Sequence, residues 1–198
     1  MPSSKRKLLF NFVGSLSTSK SRADMVKVIH GLNTTANMPL LRRGYIQTPS
    51  RWSPNPNSKR SKGYLTTDQY RSILLKSILT LAPAGNNPEC FRVYEALEAG
   101  SIPVVPLDHA YRRHRCKNSL LPWIETGAPM IFVSNWSQLV GILRDLDDHP
   151  KRADAMQKQA MAWYEWFMRD IVARFEATLD ARIAMRKQKR HISPKKIS

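Results

Sequence analysis

The chain has 198 residues, 42% of them hydrophobic, and a formal net charge of +17. That length suits one domain with a sizeable core and irregular ends, and is short for two complete α/β domains. No stretch approaches the roughly 18 apolar residues of a membrane helix. The charge is uneven: residues 1–63 carry 12 Lys/Arg against the single acid Asp24, residues 64–180 carry 13 against 14 acids, and residues 181–198 carry seven against none. The basic excess lies in the two ends and the middle is near neutral, so nucleic acid is not the expected main partner.

The chain opens with "MPSSKRKLLFNFVGSLSTS". Asn11 interrupts its apolar stretch and no small-residue cleavage site follows, so residues 8–13 are read as a buried strand and not as a secretory signal. Gly14 and the Ser/Thr residues after it form a strand-to-helix turn. The spacing of Met25, Val28, Ile29 and Leu32 predicts a helix. Between 33 and 63, four prolines among Asn, Ser, Arg and Lys predict loops with one short strand near 45–47.

From residue 64 the pattern sharpens. Thr66 or Thr67 is a candidate N-cap for a helix through Leu74, followed directly by the buried strand "ILTL". A helix is expected over 88–99, with Asn87 as N-cap, Pro88 as first residue and Gly100 as the left-handed stop. A strand at 102–105 and a basic loop "DHAYRRHRCKN" come next. Then follow a short helix broken at Pro122, a strand at 129–133, a helix at 136–146 and a long helix over 150–188. The last presents Met156, Ala160, Trp163, Trp166, Phe167, Ile171, Phe175 and Leu179 at helical spacing. Strands alternating with helices imply an α/β fold, a Rossmann-like parallel sheet flanked by helices. The expected organisation is a basic, partly irregular segment over 1–63, a ligand-binding domain over 64–180 and a basic disordered tail over 181–198.

In such sheets ligands sit beyond the carboxyl ends of the strands, near helix N-termini. On the helix after "AGNNPEC", Cys90, Val93, Tyr94 and Leu97 form a core stripe. Arg92, Glu95, Ala96 and Ala99 form a second stripe, with small residues that would leave room for a ligand. An Arg in the first turns can grip a diphosphate through two hydrogen bonds, and a carboxylate one turn on can accept from the hydroxyls of a ribose. Spacing alone favours a surface i, i+3 ion pair worth roughly a few tenths of a kcal/mol. Two cysteines and five dispersed histidines show no zinc-ligand spacing, and no metal site is expected. Arg112, Arg113, His114, Arg115 and Lys117 suit either electrostatic steering of an anion or a solvated loop. The aromatic group Trp163, Tyr164, Trp166 and Phe167 reads as core packing or as a surface that meets another domain, not as a sugar platform.

The run "LTLAPAGNNPECFRVYEALEAGSIPVV" resembles the donor-binding signature of the exostosin-like glycosyltransferases, in which a Pro/Gly loop and an R-x-x-E-A helix precede a G-x-x-P-V strand. The resemblance covers about residues 64–180, with the strand at 8–14 and Arg22 included. It implies the carboxyl-terminal, donor-binding domain of a two-domain GT-B enzyme. Arg92 would contact the diphosphate and Glu95 the ribose, while Gly85, Asn86 and Asn87 would line the sugar-phosphate pocket. Gly14 and Arg22 would approach the phosphates from the other side.

The implied donor is a UDP-sugar, with UDP-xylose the candidate, and the acceptor a glycan or glycoprotein hydroxyl. The implied chemistry is displacement with inversion, its base supplied by an amino-terminal domain that this sequence lacks. The chain is read as carrying no Asp-x-Asp motif, so guanidinium and helix dipole would neutralise the leaving diphosphate. The family implies a Golgi location, although no signal or anchor is read in this chain. In an oxidising lumen Cys90 and Cys116 are candidates for a disulfide; otherwise Cys90 is a small core residue. The alternative reading is a non-catalytic fragment binding a nucleotide sugar or a polyanion.

Overall fold

The computed structural model describes residues 1–34, 36–49, 65–87, 89–107 and 119–192, with side chains as far as 187. Five strands form one sheet: β1 (Leu8–Val13), β2 (Gly44–Gln47), β3 (Ser77–Leu81), β4 (Ile102–Pro106) and β5 (Ile131–Val133). Their order is β2-β1-β3-β4-β5, and every pairing is parallel. Such a sheet is covered on both faces, and β3 and β4 are buried along their whole lengths.

The helices are α1 (Lys20–His30), α2 (Met38–Arg42), α3 (Thr67–Lys76), α4 (Phe91–Glu98), α5 (Leu121–Glu125), α6 (Leu139–Asp148) and α7 (Pro150–Ile192). The chain leaves β1 through α1 to reach β2 on one side, then steps back over β1 through α3 to β3, and onward through α4 to β4. Right-handed crossovers place helices of opposite step on opposite faces. Accordingly Met25, Val26 and Ile29 of α1 share a core with Leu139, Leu143 and Leu146 of α6. The buried Leu74 of α3 and the buried Val93, Ala96 and Leu97 of α4 lie outside that cluster. The reversal of strand order falls between β1 and β3, and the crevice beyond their carboxyl ends is where such folds bind ligands.

Local chemistry accounts for several boundaries. Thr66 closes a capping box with Gln69 at the start of α3. Gly100, at φ +64°, ends α4 as expected: its own amide donates to Leu97 O at 3.0 Å and that of Ser101 to Ala96 O at 2.8 Å, a Schellman closure. Buried Arg6 donates to Leu74 O and Ser77 O (3.2 and 2.8 Å) and to Ala99 O (2.8 Å). It thereby satisfies carbonyls at the ends of α3 and α4, where the helix dipoles favour a cation.

Other expectations are corrected. α4 begins at Phe91 with Cys90 in the N-cap position, not at residue 88 with Asn87 as cap. Pro88 lies outside the described residues. The loop after β3 is held in place first: Ala84 O accepts from Ser19 Oγ at 2.6 Å and Arg22 Nε at 3.2 Å, and Gly85 N donates to Asn87 O at 2.9 Å. α2 occupies part of the span expected as loop, and both it and α5 carry proline in the first turn. There a missing amide costs nothing, so Pro122 starts a helix instead of breaking one. The long helix continues to Ile192, so residues 181–192 of the expected disordered tail are helical.

The chain divides into two compact units, 1–161 and 162–198. The sheet and all site residues belong to the first. Within the second, Trp163 stacks on Phe167 with ring centroids 4.6 Å apart, but Trp166, Ile171, Phe175 and Leu179 are exposed, so the core packing expected of this stripe is not what it forms. The basic loop at 108–118, including Cys116, lies outside the described residues.

Candidate functional site

At the carboxyl ends of β1 and β3 opens a cleft of about 1220 Å³, lined by residues of both strand-to-helix turns, the start of α3 and the first turns of α4. Beneath two of its lining arginines lies the ring of Phe12, fully buried in β1. Two guanidinium groups lie over that ring, with Cζ of Arg92 5.0 Å and Cζ of Arg22 5.9 Å from its centroid. Both distances suit cation–π attraction.

Each guanidinium is fixed by backbone carbonyls. Arg92 Nη2 donates to Val13 O at 2.6 Å and Nη1 to Cys90 Sγ at 3.8 Å, while its buried Nε has no hydrogen-bond partner among the described residues. Arg22 Nε donates to Ala84 O, and Nη1 to Ser15 O at 2.8 Å. Gly14 and Gly85 make room for these side chains. A Cβ at Gly14 would stand 2.9 Å from Arg92 Nη2 and 3.3 Å from Arg22 Nη1, and one at Gly85 2.9 Å from Arg22 Nη2.

Two cations thus converge on one point of the backbone. Burial, and then the neighbouring Arg92, push the Arg22 pKa below its ordinary value, while Cys90 opposes the shift. A lowered pKa means the charged pair is held against desolvation and mutual repulsion, and an anion would relieve both.

The two nearby carboxylates are engaged elsewhere. Glu95 Oε2 accepts from Tyr70 Oη at 2.8 Å. Burial raises the Tyr70 pKa, Arg92 opposes, and the Glu95 carboxylate raises it further, so the phenol stays a donor. Glu89 Oε1 accepts from Tyr94 Oη and from Trp123 Nε1, the latter at 3.2 Å. The surface ion pair between Arg92 and Glu95 that spacing allowed is therefore not what these side chains form.

The structure brings together Gly14, Arg22, Gly85, Asn86, Asn87, Arg92 and Glu95 around one cleft. It does not bring Ala96 there: that residue is fully buried, and Ala99 turns its carbonyl to Arg6. The expected ligand space beside small residues lies instead between the turns after β1 and β3. Cys90 is a half-buried free thiol, and the pairing with Cys116 falls outside the described residues. Tyr70, Glu89 and Phe12 were not anticipated. Tyr70 carries the apolar spacing of a core residue, and only its hydroxyl distinguishes it.

Among the described residues no cluster of three or more His, Cys, Asp and Glu could hold a metal ion. Asp145 and Asp147 are spaced as Asp-x-Asp, but on α6, where Asp147 pairs with Arg43 and Asp145 with Arg152 at 2.7 Å.

Fold and cleft define a class: a Rossmann-like parallel α/β domain with a crevice lined by two arginines at the switch point of its sheet. The sequence matches the family described as the RXYLT1 C-terminal domain over residues 1–184, and the chain belongs to that family. Human ribitol-5-phosphate xylosyltransferase 1 is 29% identical over 193 residues, covering 91% of this chain and 40% of the human protein. The Danio rerio protein of the same name is 29% identical over 180 residues, covering 88% and 38%. The chain spans about 40% of the length of these relatives, and it is homologous to part of a glycosyltransferase. Among solved structures, Anabaena HepE in complex with UDP aligns with a TM-score of 0.49 at 13% identity, over 88% of this chain and 41% of that one.

Proposed function

We propose that the cleft binds the nucleotide-diphosphate part of a UDP-sugar and that the chain is the donor-binding half of a GT-B glycosyltransferase. The observation that carries this reading is the pair of guanidiniums of Arg92 and Arg22 converging between Gly14 and Gly85, with no carboxylate hydrogen-bonded to either among the described residues. A diphosphate carries the charge and the several acceptor oxygens that such a pair can engage. The α4 N-terminus at the same place adds its dipole. Glu95, held by Tyr70, would accept from the ribose hydroxyls, and Gly85, Asn86 and Asn87 would border the sugar-phosphate link.

The relatives' name points to xylose as the sugar and to a ribitol phosphate on a glycan as the acceptor. In the whole enzyme the acceptor hydroxyl would displace the diphosphate at the anomeric carbon with inversion. The two guanidiniums would stabilise the charge that grows on the leaving group. The base that takes the acceptor proton would come from an amino-terminal domain, in a Golgi enzyme of the type the family implies.

Calorimetric titration with UDP and UDP-xylose tests the reading. Binding by the wild-type chain, lost by at least tenfold in Arg92→Ala and weakened in Glu95→Gln, is the expected result. Absence of UDP binding, with salt-sensitive binding to RNA or heparin instead, would overturn it in favour of a polyanion-binding fragment.

A further inference from the structure

Glu89 stands three residues before Arg92 and Glu95 three residues after it, and all three line the same cleft. Each carboxylate is held by aromatic donors. Glu95 takes the Tyr70 hydroxyl; Glu89 takes the Tyr94 hydroxyl and the Trp123 indole N–H on the same oxygen, Oε1. Tyr94 and Trp123 come from α4 and α5 and pack edge to face, with centroids 4.8 Å apart and planes at 64°. Trp123 is 2% exposed, so the indole that orients Glu89 is itself fixed in the core. Glu89 is half-buried, and its second oxygen makes no hydrogen bond among the described residues.

A cation and two preset carboxylates lining one cleft suit a ligand that joins an anionic centre to hydroxyl-bearing groups. We propose that Glu89 is the acceptor for hydroxyl groups of the transferred sugar, and that its fixed negative charge makes the site select neutral sugars over uronic acids. This rests on the nucleotide-sugar reading of the cleft, in which Arg22 and Arg92 hold the diphosphate and Glu95 the ribose. A carboxylate already oriented by two donors loses little freedom on binding a hydroxyl, and hydrogen bonds to charged acceptors are the stronger kind. A carboxylate on the ligand at the same place would meet like charge at short range.

The test is titration of the chain and of Glu89→Gln with UDP, UDP-xylose and UDP-glucuronic acid, with thermal melting as a check on folding. Glu89→Gln keeps the shape and one acceptor oxygen but removes the charge. It should leave UDP affinity within about twofold, weaken UDP-xylose about tenfold, and narrow the gap between UDP-xylose and UDP-glucuronic acid. Equal weakening of UDP and UDP-xylose, or of neither, would overturn the proposal and leave Glu89 as a tie between α4 and α5. If Glu89→Gln does not fold, Tyr94→Phe removes one of the two orienting donors. A selective loss of UDP-xylose affinity in that variant supports the proposal, and an unselective one overturns it. A wild-type chain that binds no UDP, or binds it as well after Arg92→Ala, removes the nucleotide reading and this proposal together.

Discussion

Two glycines, Gly44 and Gly85, separate stability from function at the level of single residues. A methyl group at Gly44 would stand 2.2 Å from Phe10 Cζ, and Phe10, its register partner in β1, is fully buried, so the ring has nowhere to turn. Gly44→Ala should cost about 1–3 kcal/mol of folding stability, the usual range for overpacking, visible as a lower urea midpoint. At Gly85 the obstructed atom is Arg22 Nη2, the far end of a long side chain that borders an open cleft. Gly85→Ala should therefore melt within a few degrees of the wild type while displacing the guanidinium and lowering UDP affinity. Equal losses of stability in the two variants would contradict this assignment. Tyr70 offers a spectroscopic check at the same scale: burial and the Glu95 carboxylate hold its phenol protonated well above the ordinary range. A difference titration of wild type against Tyr70→Phe should show no absorbance change from this residue at pH 11.

At the scale of elements, α7 is tied to the first residues of the chain by one carboxylate. Asp154 accepts from Ser4 N and Ser4 Oγ, each at 2.7 Å. These two bonds hold its pKa below the usual carboxylate range. Because the folded-state pKa is depressed, the unfolded chain binds the proton more readily, and the stabilisation is fully present above the ordinary Asp value of about 3.9. It is lost as pH falls from there through the folded value. Asp154→Asn should accordingly melt below the wild type at neutral pH, with the gap closing in the acid arm; a gap independent of pH would show that the charge plays no part. Elements set by near neighbours were legible in the sequence: the N-cap at Thr66, the left-handed Gly100, and β1 as a buried strand. The start of α4 was not, because carbonyl contacts to Ser19 and Arg22, more than sixty positions away, hold the preceding loop. The prolines of α2 and α5 misled for a related reason, since proline stops a helix only where its missing amide was needed. The same holds in the cleft: the R-x-x-E-A spacing marked Arg92 and Glu95 as a pair, but their partners, Val13 and Tyr70, come from other elements.

For the molecule as a whole, a net charge of +17 overstates the surface available to a polyanion. Arg6 is spent on the carbonyls of Leu74, Ser77 and Ala99 and Arg43 on Asp147, while Arg22 and Arg92 line the cleft. The cations that serve the cleft belong to the unit 1–161, whereas the seven Lys/Arg of 181–198 belong to the other. Binding of a diphosphate by two fixed guanidiniums and binding of a polyanion by many surface charges differ in their salt dependence, because the number of counterions released follows the number of charges neutralised. A chain ending at residue 180 should hold UDP with an affinity within about twofold of the full chain and elute from heparin at distinctly lower salt. Raising salt from 50 to 200 mM should weaken heparin binding by orders of magnitude and UDP binding by only severalfold. Loss of UDP binding on truncation would mean that the basic terminus forms part of the nucleotide site. Retention on heparin unchanged by truncation would place the polyanion surface on the sheet domain itself.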